Sequence, residues 1–222
     1  MTGKAEFLAT ITQALGDLKP GEKPTLPPPP EVWPVRGLSA ARMKEQFAVS
    51  LTAAAGECVL LDRPDEIPQR IADLLRAVDA RRIGIHGTSA ARSLIDPITA
   101  AYPIERFQPA AEIDPQEVAR LDAAIMTPEF LLADSGSCLF AAPTVLDRLL
   151  VYLPPLCIVA ADTAMLREHL PHAWADFSRR WGEGRTGEFA IVTGPSRTAD
   201  IEKILVLGVH GPKRIVVFLA DS

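Results

Sequence analysis

Five runs constrain what this chain can fold into: ECVLLD (57–62), RRIGIH (81–86), AAIMT (123–127), LCIVAAD (156–162) and RIVVFLAD (214–221). Each has a nearly unbroken apolar centre, mostly with β-branched residues, instead of the alternation of a half-exposed strand. Strands of that kind belong to sheets covered on both faces. Between them lie segments with apolar residues at helical spacing. LSAARMKEQFAVSLTAAAG (38–56) has Ser39 as N-cap and Gly56 as its stop. EIPQRIADLLRAVDA (66–80), opened by Pro64 and Asp65, places Ile67, Ile71, Leu74, Leu75 and Val78 along one helix face. Strand followed by helix, repeated, predicts an α/β domain with a largely parallel sheet flanked by helices.

The remaining segments read less sharply. PIERFQ (103–108) is a weak strand, PEFLLADSGS (128–137) a short helix or turn, and CLFAAP (138–143) a strand. TAMLREHLPHAWADFSRRW (163–181) has helical spacing disturbed near Pro171. FAIVTG (189–194) is a strand, and TADIEKILVLG (198–208) is predicted as a helix before the last strand.

At the N-terminus, Phe7, Leu8, Ile11, Ala14 and Leu15 share a helical face, and four prolines, Pro27 to Pro30, impose an extended connector. The expected organisation is an N-terminal helix and proline-rich linker over 1–37, then one α/β domain over 38–222. With 222 residues and 48% hydrophobic composition, that domain can bury a substantial core.

A net charge of −5 supplies no basic stripe, so nucleic acid and anionic membranes are not expected partners. The N-terminus lacks the apolar core of a signal peptide, and no apolar run reaches membrane-spanning length. The three cysteines, Cys58, Cys138 and Cys157, are widely spaced and form no C-x-x-C. They are expected to be reduced, buried residues of a cytoplasmic protein, with no cluster or structural zinc held by this chain.

Ligands of parallel sheets bind where strands end and loops begin. Three loops qualify: HGTS (86–89), DSGS (134–137) and TGPSRT (193–198). In TGPSRT, Gly194 permits a tight exit, Ser196 or Thr198 can cap a following helix, and Arg197 can help backbone amides hold a carboxylate. Neither a Walker nor a G-x-G-x-x-G pattern is present. In DSGS, Asp134 is a candidate base or simply the head of an Asx-turn, while Ser135 and Ser137 flank Gly136. His86 ends a strand and His210 sits in GVHGP; each is read either as an acid–base group or as a histidine bonded to backbone. His169 and His172 are three apart, with Pro171 between them and no further His or Cys nearby, and no metal site is expected.

These motifs carry a resemblance. GPSRTADIEKILVLGVHGPKRIVVFLAD (194–221) resembles the C-terminal signature of LUD-domain proteins of the lactate utilization protein C group. LLADSGSCLF (131–140) followed by YLPPLCIVAAD (152–162) resembles their middle signature. The resemblance implies a NagB/RpiA/CoA-transferase-like fold. It also implies a chain working with two partners, one cysteine-rich and one carrying iron–sulfur clusters, in oxidising L-lactate to pyruvate. This chain would itself carry no cofactor. The resemblance groups Asp134, Ser135, Gly136 and Ser137 with Gly194, Ser196, Arg197, Thr198 and His210 as one site. The resemblance assigns no catalytic residue; by their own chemistry Asp134 and His210 are the acid–base candidates, and the others would contact a small carboxylate. Ser135-Gly136-Ser137 departs from the Thr–Gly–Thr more often found there. The competing reading is a stand-alone transferase or isomerase of a small acyl-CoA or phosphorylated metabolite.

Overall fold

The computed structural model describes residues 3–15, 33, 36–109, 112–181, 188–199, 205–207 and 211–222. Two compact units result, residues 1–34 and 35–222. In the first, helix α1 spans Lys4–Leu15, with Phe7, Leu8 and Ile11 exposed.

The second unit contains helices α2 (Ala40–Ala53), α3 (Ile67–Ala77), α4 (Ser89–Ser93), α5 (Ile95–Ala101), α6 (Pro115–Ala119), α7 (Val145–Tyr152) and α8 (Leu170–Trp181). Its strands are β1 (Glu57–Leu61), β2 (Arg82–Ile85), β3 (Glu105–Arg106), β4 (Ala123–Met126), β5 (Phe130–Leu132), β6 (Ser137–Ala142), β7 (Leu156–Asp162), β8 (Leu166–Arg167), β9 (Glu188–Val192), β10 (Arg197–Ala199), β11 (Leu205–Leu207) and β12 (Arg214–Ala220). A six-stranded sheet, ordered β1-β12-β7-β4-β2-β3, is parallel throughout. A second sheet, ordered β8-β5-β6-β9, is mixed.

The five apolar runs form β1, β2, β4, β7 and β12; alternation along β12 explains the composition of the four inner strands, while β1 is an edge strand with Leu60 exposed. Ile215, Val217 and Leu219 point into one core with Phe47 and Leu51 of α2, Leu150 of α7 and Phe140 of β6. Val216, Phe218 and Ala220 point into another with Ile71 and Leu75 of α3 and Ile98 of α5. Each fully buried Val, Leu or Phe contributes about 1.5–3 kcal/mol of transfer free energy, so neither face of this strand tolerates a polar side chain. The second sheet closes the first core with Cys138 and Phe140. It turns Phe130, Leu132 and Leu139 outward against Ala173 and Phe177 of α8.

Three segments differ from the sequence expectations. PEFLL is strand β5, antiparallel to β6, because its three consecutive apolar residues are buried from both sides of a sheet. Pro171 lies in the first turn of α8, where its missing N–H costs nothing, and does not disturb a helix. The predicted helix over 198–208 is absent where described. Arg197–Ala199 and Leu205–Leu207 pair as antiparallel strands, with Thr198 opposite Val206. An apolar run such as ILVL satisfies a strand as readily as a helix, and here cross-strand pairing wins.

Candidate functional site

Of the three loops, only HGTS leaves the carboxyl end of a strand in the all-parallel sheet. The His86 amide donates to the Ile125 carbonyl at 3.0 Å, which extends the β2–β4 ladder by one residue. The chain then turns, and Thr88 caps α4 by accepting from the Ala91 amide at 3.1 Å. Thr127 follows β4 directly, and the Thr88 and Thr127 hydroxyls are hydrogen-bonded to one another. With Ala141 of β6 and Met165 above them, these residues line a cavity of about 410 Å³.

His86 is 1% exposed. Its Nε2 lies 2.8 Å from the Ala141 carbonyl oxygen. A carbonyl only accepts, so Nε2 carries the proton and Nδ1 of the neutral ring keeps its lone pair. Nδ1 is buried and has no hydrogen-bond partner among the described residues. Buried polar atoms rarely stay in that condition, because the unmade bond costs about 1–3 kcal/mol. The ring lines the cavity, but Nδ1 itself is closed to solvent, so a ligand's donor reaches it only with a small shift of the ring or of the HGTS loop.

Asp147 of α7, also buried, organises the loop from below. One carboxylate oxygen accepts from the Gly87 amide at 2.7 Å, and the other from the Thr144 hydroxyl at 2.6 Å. Thr144 in turn caps α7 by accepting from the Asp147 amide at 3.1 Å. The Asp147 carboxylate stands 3.9 Å from His86 Nε2. A second lobe of about 380 Å³ shares Gly87 and Pro143 with the first and is lined by Arg92, Arg106 and Asp147.

The residues singled out in the sequence lie elsewhere. DSGS is the turn of the β5–β6 hairpin. Gly136 adopts φ +67°, and a Cβ there would fall 2.2 Å from the Leu51 amide nitrogen. Gly194 adopts φ +72°, and its Cβ would fall 2.2 Å from the Ala54 carbonyl oxygen. Both turns thus press on the C-terminal end of α2, beside the amino end of β1. They meet: the Ser137 hydroxyl donates to Ser135 at 2.8 Å and lies 2.6 Å from the Thr193 hydroxyl, which must then be the donor of that pair. Asp134 is exposed, and its amide donates to the Glu168 carbonyl at 3.0 Å. The Ser196 amide donates to the Pro212 carbonyl at 2.9 Å. Arg197 and Thr198 are in β10, and His210 lies outside the described residues. The structure therefore brings DSGS and TGPS together, but at the opposite end of the sheet from the His86 cavity.

The cysteines occupy β1, β6 and β7. Burial pushes the Cys58 thiol up to about 11 and the Cys157 thiol up to about 12. Burial, together with the other two thiols, raises Cys138 as well.

The LUD domain model matches residues 44–220. The chain belongs to the LUD domain family. Among its relatives, the lactate utilization protein C of Bacillus pumilus is 34% identical over 101 residues, 45% of this chain and 42% of that protein. The protein of the same name from Shouchella clausii is 31% identical over 111 residues, 50% of this chain and 48% of that protein. Both matches thus span less than half of the relative. The Deinococcus radiodurans lactate utilization protein C is 28% identical over 221 residues, 97% of this chain and 94% of that protein. A crystal structure of a DUF162 family protein from Deinococcus radiodurans superposes with a TM-score of 0.58 at 20% identity, covering 82% of this chain and 99% of that one. At that identity it speaks for the α/β fold alone. No helix among the described residues of this LUD-domain chain is long and apolar enough to cross a membrane.

Proposed function

We propose that this LUD-domain chain works in lactate utilization, as the subunit of a cytoplasmic iron–sulfur complex that binds L-lactate during its oxidation to pyruvate. The names of its relatives support the substrate. The observation that carries the site is the His86 ring, which lines the cavity with its Nε2 fixed by Ala141 and its Nδ1 without a hydrogen-bond partner. Oxidising lactate to pyruvate removes two electrons and two protons. His86 Nδ1 would accept the hydroxyl proton. The Thr88 and Thr127 hydroxyls offer hydrogen bonds to the substrate, and Arg92 or Arg106 offers a cation for its carboxylate. The Cα–H bond would break with its hydrogen leaving as a hydride, carrying both electrons, to a two-electron acceptor held by the partner subunits, from which the electrons would pass to the iron–sulfur clusters. That reading is supported by cysteines that lie on separate strands with raised pKa values, Cys138 and Cys157 buried and Cys58 half-buried.

The test is lactate-dependent reduction of an artificial acceptor by this chain mixed with both partners. The mixture should be active, this chain alone inactive, and His86→Gln in the mixture reduced by about 100-fold or more, as for loss of a general base. Full activity of the chain alone, or of the His86→Gln mixture, contradicts the reading. Arg92 and Arg106 in the adjoining lobe favour one second reading, a transferase or isomerase of a phosphorylated or CoA-linked acid. A thermal shift with CoA esters or sugar phosphates but not with lactate would support that reading instead.

A further inference from the structure

A different histidine pair carries a second site. Glu168 and His169 follow β8, and His172 falls in the first turn of α8, giving the order Glu-His-x-x-His. Glu168 and His169 are buried and His172 is half-buried. The imidazole rings stack, with centroids 4.1 Å apart and planes at 27°. One donor atom from each of the three side chains lies within 4.8 Å of the other two. Four-coordinate zinc with bonds of about 2.0–2.2 Å holds neighbouring donors roughly 3.3–3.5 Å apart, so modest side-chain rotations close this set on an ion.

The carboxylate is already oriented. Its two oxygens accept from the Arg36 amide at 2.8 Å and the Leu38 amide at 2.5 Å. Ligating carboxylates typically have such supporting hydrogen bonds. Two imidazoles and one carboxylate are a donor set that suits zinc and similar divalent ions and leaves one position open.

We propose that Glu168, His169 and His172 bind one divalent transition-metal ion of the zinc class. Bound there, the ion ties the segment entering α2 to the start of α8. It also lies near the DSGS turn, since the Asp134 amide bonds the Glu168 carbonyl. The site is independent of the lactate reading.

The test titrates Zn²⁺ and Co²⁺ into the whole chain after treatment with chelator, following competition with a chromophoric indicator and the visible spectrum of Co²⁺. The expected result is one ion per chain, with Co²⁺ d–d bands and no thiolate charge-transfer band. His172→Ala should lower affinity by about 100-fold or more and abolish the Zn²⁺-induced rise in Tm. Glu168→Gln should act the same way if it folds, and Cys58→Ser should bind as the parent does. His172 is half-buried, so its variant decides the matter even if Glu168→Gln is unstable. Failure of the parent to bind stoichiometrically, unchanged affinity in His172→Ala, or a thiolate band lost in Cys58→Ser would each overturn the proposal.

Discussion

Replacing Asp147 by Ala separates the loop's architecture from its chemistry. The carboxylate makes two short hydrogen bonds, to the Gly87 amide and the Thr144 hydroxyl. Hydrogen bonds to a charged group are worth about 1.5–3 kcal/mol net each. Gly87 and Thr144 are themselves exposed, so water partly replaces the lost acceptor, and the lower end of that range applies. The expected loss is about 3 kcal/mol for Asp147→Ala. It is about half that for Asp147→Asn, which keeps one acceptor oxygen and the volume. Urea unfolding reads this directly: with a slope near 3 kcal/mol/M, the midpoint should fall by about 1 M with the slope unchanged. Both variants should also weaken ligand binding at His86, because the Gly87 turn that positions Thr88 is no longer held. A midpoint shift under about 0.3 M for Asp147→Ala would refute the claim that this carboxylate holds the loop.

Gly136→Ala and Gly194→Ala each force a side chain into the left-handed region and onto the backbone of α2. Each should cost about 2–4 kcal/mol by urea unfolding, combining backbone strain with overpacking. Glu57 accepts two bonds from Arg214, at 2.6 and 2.7 Å, and these lower its pKa from 4.5. A lowered folded pKa means that the pair stabilises above pH 4.5 and that this contribution is lost as pH falls through the folded value. Glu57→Gln should therefore lower Tm near neutral pH and converge with the parent in acid. With thiols raised to about 11 and 12 by burial, Cys58 and Cys157 should react with a thiol reagent at pH 8 far more slowly in the native protein than in denaturant, where all three cysteines of the chain should titrate.

Burial on both faces writes itself into a sequence as an apolar run, which is why β2, β4, β7 and β12 are legible; β1 is read from a similar run although it is an edge strand with Leu60 exposed. The hairpin of β10 and β11 is not legible. Its acids and its ILVL run fit a helix locally, and only the pairing of Thr198 with Val206 decides otherwise. Recognising DSGS and TGPSRT as glycine-dependent turns was sound, but both glycines serve the approach to Leu51 and Ala54, contacts far away in sequence. His86 was visible as a histidine at a strand end. Its partner Ala141 is 55 residues away, so the tautomer and the orphaned Nδ1 could not be read locally. Asp147 had one local signal, the Thr144-x-x-Asp147 spacing of a capping box. The Glu168 cluster is not legible as a His/Cys pattern, because the third donor beside His169 and His172 is a carboxylate.

The central claim is that small carboxylates bind at the carboxyl ends of β2 and β4. Amide chemical-shift mapping of the isotopically labelled chain during an L-lactate titration tests it most directly. The expected result is saturable shifts concentrated at Gly87, Thr88, Thr127 and Ala141, lost in His86→Gln. Shifts concentrated instead at Ser135–Ser137 and Gly194–Thr198, at the other end of the sheet, would contradict it.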